Sequence, residues 1–285
     1  MKSALRVTLF ASLLALTVSA EIAVKSGDSI AFLGDSITAN GNRFPGGYVN
    51  LVIDGLKANG IEAKKIPAGI SGNKSNQMLA RLEKDVLAKN PQVMLLSCGV
   101  NDVWHGKRGV VLEDYKKNIT SIVEQAQGKG ITVCILTATM IGENQKTQNN
   151  VKLEAYNAFL RELAAEKKCL LADLNAQMQT LLADITKENP GIKGPQLTVD
   201  GVHMNAIGDR MMATGILRAL GLDDAQMQAA EQFWKTSAKR VYVGQVMLTA
   251  DDVKKLIPLA AKKKMTIQQY IEYVIATLPA ESAKP

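Results

Sequence analysis

Two short motifs carry side chains that could work together as a nucleophile and its base. Residues 34–38 read Gly-Asp-Ser-Ile-Thr directly after the apolar run 30–33, and residues 200–203 read Asp-Gly-Val-His. A serine hydroxyl is a poor nucleophile until a neighbouring base takes its proton, and a third group must orient that base. The chain has only 2 histidines, so the residue types favour a set made of Ser36, His203 and Asp200. Taken alone, the first motif is also compatible with an ordinary strand-to-helix turn.

Two further segments supply hydrogen-bond donors of the kind that acyl transfer requires. Gly72 follows the second apolar run of the chain and Asn101 follows the third. When an alkoxide attacks an ester carbonyl, negative charge develops on the carbonyl oxygen, and positioned donors stabilise it. The backbone amides of Ser36 and Gly72 and the side-chain amide of Asn101 are candidates, because glycine permits close backbone approach and asparagine donates without a charge.

The elements that must position these residues alternate between short apolar runs and amphipathic stretches. The predicted strands are 29–33, 61–66, 92–98, 131–137 and 169–174, and the predicted helices are 48–58, 75–89, 112–127, 151–167, 177–183 and 205–220. Apolar strands joined by helices are typical of a parallel α/β sheet that is covered on both faces. Ligands bind such sheets beyond the carboxyl ends of the strands. Ser36 and the segment 99–102 therefore fall on the same rim.

Ser36, Gly72, Asn101 and His203 resemble, in that order and in those contexts, the four sequence blocks of the SGNH (GDSL-type) hydrolases. The resemblance covers roughly residues 29–220 and implies a flavodoxin-like three-layer α/β/α sandwich. It also implies that Ser36 is the nucleophile, His203 the general base and Asp200 its orienting group. Ser36, Gly72 and Asn101 would form the oxyanion hole, with the His203 ring between the Ser36 hydroxyl and Asp200. The first block has isoleucine where many members have leucine, and Asp35 and Asp102 are interpreted as supports for the loops.

The two ends of the chain differ from this central region. Lys2 and Arg6 precede an apolar stretch, and residues 18–20 read Val-Ser-Ala, which is the pattern of a secretory signal peptide. We therefore predict a signal peptide at 1–20 with cleavage after Ala20, a hydrolase domain at 21–221, and a periplasmic or secreted protein. Residues 222–285 are predicted to form a C-terminal helical extension that packs on the main domain, with Thr249 and Thr266 capping two of its helices.

Composition and charge argue against nucleic acid, a membrane and a metal ion as partners of this chain. The net charge of +7 falls to +5 without Lys2 and Arg6, and the basic residues are spread along amphipathic segments, so no nucleic-acid partner is predicted. No later stretch reaches about 18 consecutive apolar residues, so no membrane insertion is expected after signal removal. The three cysteines (98, 134 and 169) lie in or beside apolar runs, without the spacing of a zinc site. No metal or cofactor is predicted, and both cysteine pairing and oligomeric state stay open.

The predicted substrate is a small-molecule or glycan ester. The loops expected to rim the site are rich in Asn, Gln, Lys and Arg, at 38–43, 71–76, 105–108 and 142–146, which suits a hydroxyl-rich alcohol partner. Possible substrate contacts are Asn40, Arg43, Trp104 and His105. We therefore predict an exported serine esterase that hydrolyses short-chain acetyl esters, with O-acetyl groups on carbohydrate as the substrate. The alternatives are a lipase or thioesterase for longer acyl chains, and a non-catalytic carbohydrate-binding module on this fold.

Overall fold

The computed structural model describes residues 21–188, 190–191, 194–237 and 250–265, together with residues 270, 271, 273, 274 and 277. The predicted signal peptide and the predicted helix caps at Thr249 and Thr266 lie outside these residues. The chain divides into two compact units at residues 243 and 244, and each is described by itself. No helix among the described residues is both long enough and apolar enough to cross a membrane.

The first unit is built on a five-stranded parallel sheet in the order β2-β1-β3-β4-β5. The strands are β1 (Ser29–Gly34), β2 (Lys64–Gly69), β3 (Val93–Ser97), β4 (Thr132–Leu136) and β5 (Leu170–Ala172). This is the flavodoxin-like strand order, whose topological switch point lies between β1 and β3. Ser36 follows β1 and Asn101 follows β3, so both lie at the switch point.

The α-helices that the structure describes in the first unit fall into two groups. They are α1 (Ser36–Arg43), α2 (Tyr48–Ala58), α3 (Ser75–Asp85), α4 (Val100–Trp104), α5 (Leu112–Gly128), α6 (Gln148–Glu166), α7 (Leu174–Glu188), α8 (Ala206–Ala219) and α9 (Asp224–Ser237). Helices α1, α2, α7, α8 and α9 are linked by mutual contacts in one group, and α3, α5, α6 and α4 in the other. The predicted three-layer α/β/α architecture is confirmed.

Several local predictions were wrong: the helix predicted at 177–183 spans Leu174–Glu188, and two further differences lie beside α1. The second strand is Lys64–Gly69 rather than 61–66, because its pairing with β1 starts at Ser29↔Lys64 and ends at Gly34↔Gly69. β2 is an edge strand and tolerates Pro67, so its apolar pattern is weaker than that of a central strand. Residues 38–43 were expected as a loop, yet Ser36–Arg43 forms a helix, α1, because the Asp35 side chain caps its first turn.

Helix α9 belongs to the first unit although it lies within the predicted extension 222–285. Its apolar residues Met227, Ala230 and Trp234 are buried in the core, and α9 packs against α2. The indole Nε1 of Trp234 donates a hydrogen bond to the Leu51 carbonyl oxygen at 2.9 Å. Packing thus joins 222–237 to the first unit, and the domain boundary between 21–221 and 222–285 stays a prediction. The second unit contains α10 (Ala250–Lys262).

Candidate active site

Ser36 is presented by a tight turn between β1 and α1. The Asp35 side chain caps α1, since its Oδ1 accepts a hydrogen bond from the Ile37 amide at 2.9 Å. Gly34 is required here, because a Cβ at that position would lie 2.0 Å from Thr38 Oγ1. Ser36 therefore stands at the first position of the helix, half-buried, where the positive end of the helix dipole favours developing negative charge.

The structure brings Ser36, His203 and Asp200 into one hydrogen-bonded chain. The Ser36 hydroxyl lies 2.8 Å from His203 Nε2, and His203 Nδ1 lies 2.6 Å from Asp200 Oδ2. The His203 side chain is 23% exposed and that of Asp200 50%. Ser36 and His203 are 167 residues apart, so only the fold can bring them together. A neutral imidazole in this position can take the serine proton, while the carboxylate fixes its orientation.

The Asp200 carboxylate also shapes the turn that carries His203. Its Oδ1 accepts hydrogen bonds from the Val202 amide at 3.0 Å and the His203 amide at 2.8 Å. Burial by itself would raise the pKa of Asp200, but the hydrogen bonds from the His203 ring and from these two amides outweigh it and hold the pKa below its usual range. Asp200 is therefore negative at neutral pH.

Two backbone amides at the site face no acceptor in the described part of the chain. The amides of Ser36 and Gly72 donate no hydrogen bond to any residue that the structure describes. Gly72 has a φ of +75°, in the left-handed region, and a Cβ built there would meet no atom within 4 Å. Glycine adopts this left-handed backbone conformation without strain, and the space beside Gly72 is open.

The Asn101 amide is engaged differently from the sequence-based expectation of a free donor. Its Nδ2 donates to the Asn73 carbonyl oxygen at 3.1 Å and to Asp35 Oδ2 at 3.2 Å. Asn101 is only 4% exposed, and a buried amide needs acceptors for both of its hydrogens. Asn101 therefore ties the loop after β2 to the turn after β1.

Two buried carboxylates lie behind these loops. Asp35 is 2% exposed, and burial raises its pKa to about 6, although the Ile37 amide and His203 oppose the rise. Asp102 is completely buried and accepts hydrogen bonds from the amide of Ser75 at 3.0 Å and its hydroxyl at 2.6 Å. Burial also raises the pKa of Asp102, against these bonds from Ser75. Both carboxylates fasten loops that meet at the switch point.

Sequence reasoning missed Arg81, which joins three segments of this region. Its guanidinium donates to the Gly34 carbonyl oxygen at 2.9 Å and to Asn73 Oδ1 at 2.7 Å, and forms an ion pair with Asp85 at 2.9 Å. The available signal was a charged residue between Met78 and Leu82, on the apolar side of α3. That signal indicates burial, but it does not reveal which carbonyl is bound.

Of the four predicted substrate contacts, Arg43 and Trp104 are exposed, whereas Asn40 and His105 are half-buried. Asn40 and Arg43 follow Ser36 by four and seven residues on α1, which places all three on one face of the helix. Trp104, at the end of α4, is 45% exposed, and its ring centroid is 6.1 Å from that of His105. Their contact with substrate stays a prediction. Among the described residues, no three His, Cys, Asp or Glu side chains are arranged to hold a metal, and the three cysteines are free.

Fold and site together define a class of serine hydrolases in which the nucleophile follows the first strand of a flavodoxin-like sheet. Residues 32–211 match the model of the GDSL-like lipase/acylhydrolase family, and the chain belongs to this family. It is a serine hydrolase that acts on carboxylic ester bonds, as predicted.

Relatives with assigned activities share most of the first unit. An acetylxylan esterase of Geobacillus stearothermophilus is 26% identical over 219 residues, which cover 70% of this chain and 97% of that protein. Esterase TesA of Pseudomonas aeruginosa is 26% identical over 200 residues, covering 70% of this chain and 90% of its own length. The crystal structure of the acetyl xylan esterase AlAXEase has a TM-score of 0.62 and 35% identity, covering 67% of this chain and 98% of that chain.

Proposed function

We propose that this protein is an exported esterase that removes acetyl groups from carbohydrate through an acyl-enzyme on Ser36. The observation that carries the mechanism is the pair of contacts at His203: 2.8 Å from Nε2 to the Ser36 hydroxyl and 2.6 Å from Nδ1 to Asp200. This geometry supports a nucleophile, a general base and an orienting carboxylate, in that order.

In the first half of the reaction, Ser36 Oγ attacks the ester carbonyl carbon while His203 Nε2 takes the hydroxyl proton. The tetrahedral oxyanion is met by the amides of Ser36 and Gly72, and by the Asn101 amide once it releases its 3.2 Å bond to Asp35. Asp200 stabilises the imidazolium. His203 then passes the proton to the leaving sugar oxygen, which leaves an acetyl ester on Ser36.

In the second half, a water molecule takes the place of the departed alcohol. His203 removes a proton from this water as its oxygen attacks the acyl carbon, and the same donors stabilise the second oxyanion. Collapse of that intermediate returns the proton to Ser36 Oγ and releases acetate. Water is the only co-substrate that these steps require.

The surroundings of Ser36 support a carbohydrate as the alcohol partner. Asn40 and Arg43 line the exposed face of α1 and offer donors to hydroxyl oxygens. Trp104 exposes 45% of its surface, and an exposed aromatic ring suits the apolar face of a sugar. Two of the relatives are named acetylxylan esterases, which supports acetylated xylo-oligosaccharides as the first substrates to try.

The direct test compares p-nitrophenyl acetate, butyrate and octanoate, and acetate release from acetylated xylo-oligosaccharides, for wild type and Ser36→Ala. We expect acetyl esters to be turned over fastest, and Ser36→Ala to lose about 10⁵–10⁶-fold in kcat. Near-normal turnover by folded Ser36→Ala would exclude the serine mechanism. If neither wild type nor variant hydrolyses any ester but both bind the oligosaccharide, the protein is instead a carbohydrate-binding module.

Longer acyl esters are a second candidate because of an apolar cavity near the histidine turn. The cavity has a volume of about 310 Å³ and is lined by Gly46, Leu51, Ala206, Ile207, Arg210, Trp234 and Lys235. Ala206 and Ile207 begin α8, just three and four residues after His203. Octanoate turned over faster than acetate, with a preference that Ile207→Asp abolishes, would establish this activity in place of the acetylesterase.

Export is proposed from the residues that precede the described structure. Lys2, Arg6, the apolar stretch and the Val-Ser-Ala sequence support cleavage after Ala20. N-terminal sequencing of protein from the periplasm or the medium should then begin at Glu21. Mature protein that retains Met1 or Lys2 would contradict export by this route.

A further inference from the structure

The Glu143 side chain forms hydrogen bonds with the segment that leads into the Asp200–His203 turn. This residue lies in the loop between β4 and α6, and its carboxylate accepts hydrogen bonds from three consecutive residues. Oε2 accepts from the Gln196 amide at 2.5 Å, while Oε1 accepts from the Leu197 amide at 2.8 Å and from the Thr198 hydroxyl at 2.6 Å. Hydrogen bonds to an ionised carboxylate are stronger than those between neutral groups, so this is a firm attachment.

The loop that carries Glu143 is itself fixed from α6. Asn150, 2% exposed, accepts from the Ile141 amide at 2.8 Å and donates to the carbonyl oxygens of Ile141, Gly142 and Asn144. The Gly142 amide also donates to the Gly201 carbonyl oxygen at 2.6 Å. Helix α6, the loop that carries Glu143 and the Asp200–His203 turn are thus joined by a continuous series of hydrogen bonds.

Other attachments also hold the histidine turn: the Val199 amide donates to the His203 carbonyl oxygen at 2.8 Å, and Val202 and Met204 are buried. The Asp200 side chain is 50% exposed, so packing does little to fix it. Thr198 joins Glu143 to the turn, because its Oγ1 donates to Glu143 and accepts from the Gly201 amide at 3.1 Å. Loss of the Glu143 carboxylate would remove the acceptor of the Thr198 hydroxyl and so free the side chain that accepts from the Gly201 amide.

We propose that Glu143 is a positioning residue, which holds the Asp200–His203 turn at the distance from Ser36 that proton transfer requires. This inference rests on the proposed function, in which His203 is the general base. The hydrogen bonds that the structure gives Glu143 go to residues 196–198 and not to Ser36 or His203, so it acts only through the turn.

The proposal predicts a fall in kcat with little change in KM. Displacement of a catalytic group by about 1 Å can cost about 100-fold, so we expect Glu143→Ala to lose about 10- to 100-fold in kcat on p-nitrophenyl acetate. Its KM should stay within about threefold, because positioning acts on the transition state. Glu143→Gln should fall between, since its amide oxygen retains the bonds from Leu197 and Thr198 while its nitrogen faces the Gln196 amide.

Asp173→Ala is the matched control for a purely structural role. The Asp173 carboxylate also accepts several bonds, from the Thr137 hydroxyl at 2.9 Å, Arg161 Nε at 2.8 Å and the Ala176 amide at 3.2 Å. It lies at the end of β5, and none of these described partners belongs to the 196–203 segment. We expect Asp173→Ala to lower Tm as Glu143→Ala does, with wild-type kcat per folded molecule.

The outcomes separate this inference from the proposed function. Normal kcat per folded molecule in both Glu143 variants, with Ser36→Ala inactive, overturns the positioning role and leaves the triad intact. Equal losses of kcat in Glu143→Ala and Asp173→Ala also overturn it, because destabilisation alone would then explain the effect. If Glu143→Ala does not fold, Glu143→Gln decides by the same criterion. An active Ser36→Ala would instead reject the proposed function itself.

Discussion

Asp35 and Asp200 lie on opposite sides of the Ser36–His203 hydrogen bond, and their environments shift the two pKa values in opposite directions. Asp35 is 2% exposed, and its burial raises the pKa to about 6. The Asp200 side chain is half-exposed, so the rise from burial is outweighed by hydrogen bonds from His203 and Val202, and its pKa is lowered. Asp200 is suited to stabilise a charged imidazolium, whereas Asp35 is suited to fasten loops.

The same contrast extends to the two halves of the site. The serine half is held by buried side chains, among which Asn101 is 4% exposed and Asp102 is completely buried. In the histidine half the Asp200 side chain is 50% exposed, and the turn is held by the buried Val202 and Met204 and by main-chain amides that donate to Asp200 and Glu143. In the proposed mechanism, the half that meets the developing negative charge is held by buried polar side chains, and the half that moves the proton carries the more exposed carboxylate.

The largest effect that tests this contrast is expected for Asp200→Asn. An amide at this position cannot stabilise the imidazolium and favours the wrong tautomer of His203, so kcat should fall by about 10³–10⁴-fold. This loss is smaller than that of Ser36→Ala or His203→Ala, because the turn keeps its main-chain bonds. Turnover of p-nitrophenyl acetate by purified variants measures it. A loss of less than about tenfold would mean that Asp200 does not orient the base.

Asn101→Ala probes the buried half and should lose about 10²–10³-fold in kcat, as expected for one oxyanion donor. The Asn73 carbonyl oxygen and Asp35 also lose their shared donor, so Tm should fall. Asn59→Ala is the matched control, because its Nδ2 likewise donates to two carbonyl oxygens, those of Gly55 and Gln226, far from Ser36. Full activity in Asn101→Ala would show that Ser36 and Gly72 suffice as donors.

The sequence predicted the central strands better than the hydrogen bonds that hold the site together. Apolar runs of four or more residues mark the central strands, so β1, β3 and β4 were placed to within about two residues. β2 is an edge strand with exposed residues, and its bounds depend on pairing with β1, which no local pattern reveals. The grouping of Ser36, Asp200 and His203 follows from residue types that only a few chemistries use.

The bonds that hold those residues could not be predicted in the same way. Glu143 binds two main-chain amides, and Arg81 binds the Gly34 carbonyl oxygen. Main-chain groups have the same chemistry at every position, so sequence gives no sign of which amide or carbonyl a side chain will reach. For the same reason the engagement of the Asn101 amide by Asn73 and Asp35 became visible only in the structure.

Asp35→Asn should have a smaller effect on turnover than either previous variant, about tenfold. The amide oxygen can still cap Ile37, but the nitrogen replaces the oxygen that accepts from Asn101, so that tie is lost. Because the folded pKa of about 6 lies above the unfolded value of 3.8, wild type loses stability as pH rises from about 4 to about 6. The part of this fall in stability that Asp35 causes should be missing in Asp35→Asn. Urea unfolding of wild type and variant at pH 4.5 and pH 7.5 measures it. If Asp35→Asn lost as much turnover as Asp200→Asn, the two carboxylates would not differ in their importance for turnover, and the contrast between them would be wrong.

Asp209→Asn is expected to have no effect on turnover. This variant tests whether burial alone sets the direction in which the pKa of a carboxyl group at this rim is shifted. Asp209 is 7% exposed, on the first turn of α8, and its Oδ1 accepts from the Tyr48 amide at 2.9 Å. Burial raises its pKa to about 7, against that hydrogen bond. The folded pKa exceeds the unfolded one, so the folded state holds the proton more tightly between about pH 4 and pH 7, and stability falls as pH rises through that window.

The full shift from 3.8 to about 7 corresponds to at most about 4 kcal/mol of unfolding free energy. The substituted side chain in Asp209→Asn would keep an acceptor for the Tyr48 amide and cannot ionise, so this decline with pH should be missing from the variant. The quantity to measure is the difference in unfolding free energy between variant and wild type at pH 8, minus the same difference at pH 4.5. Taking this double difference cancels any fixed cost of burying the new amide. A positive value of about 1–4 kcal/mol is expected, and a value of zero would show that Asp209 is not driven toward its neutral form by burial.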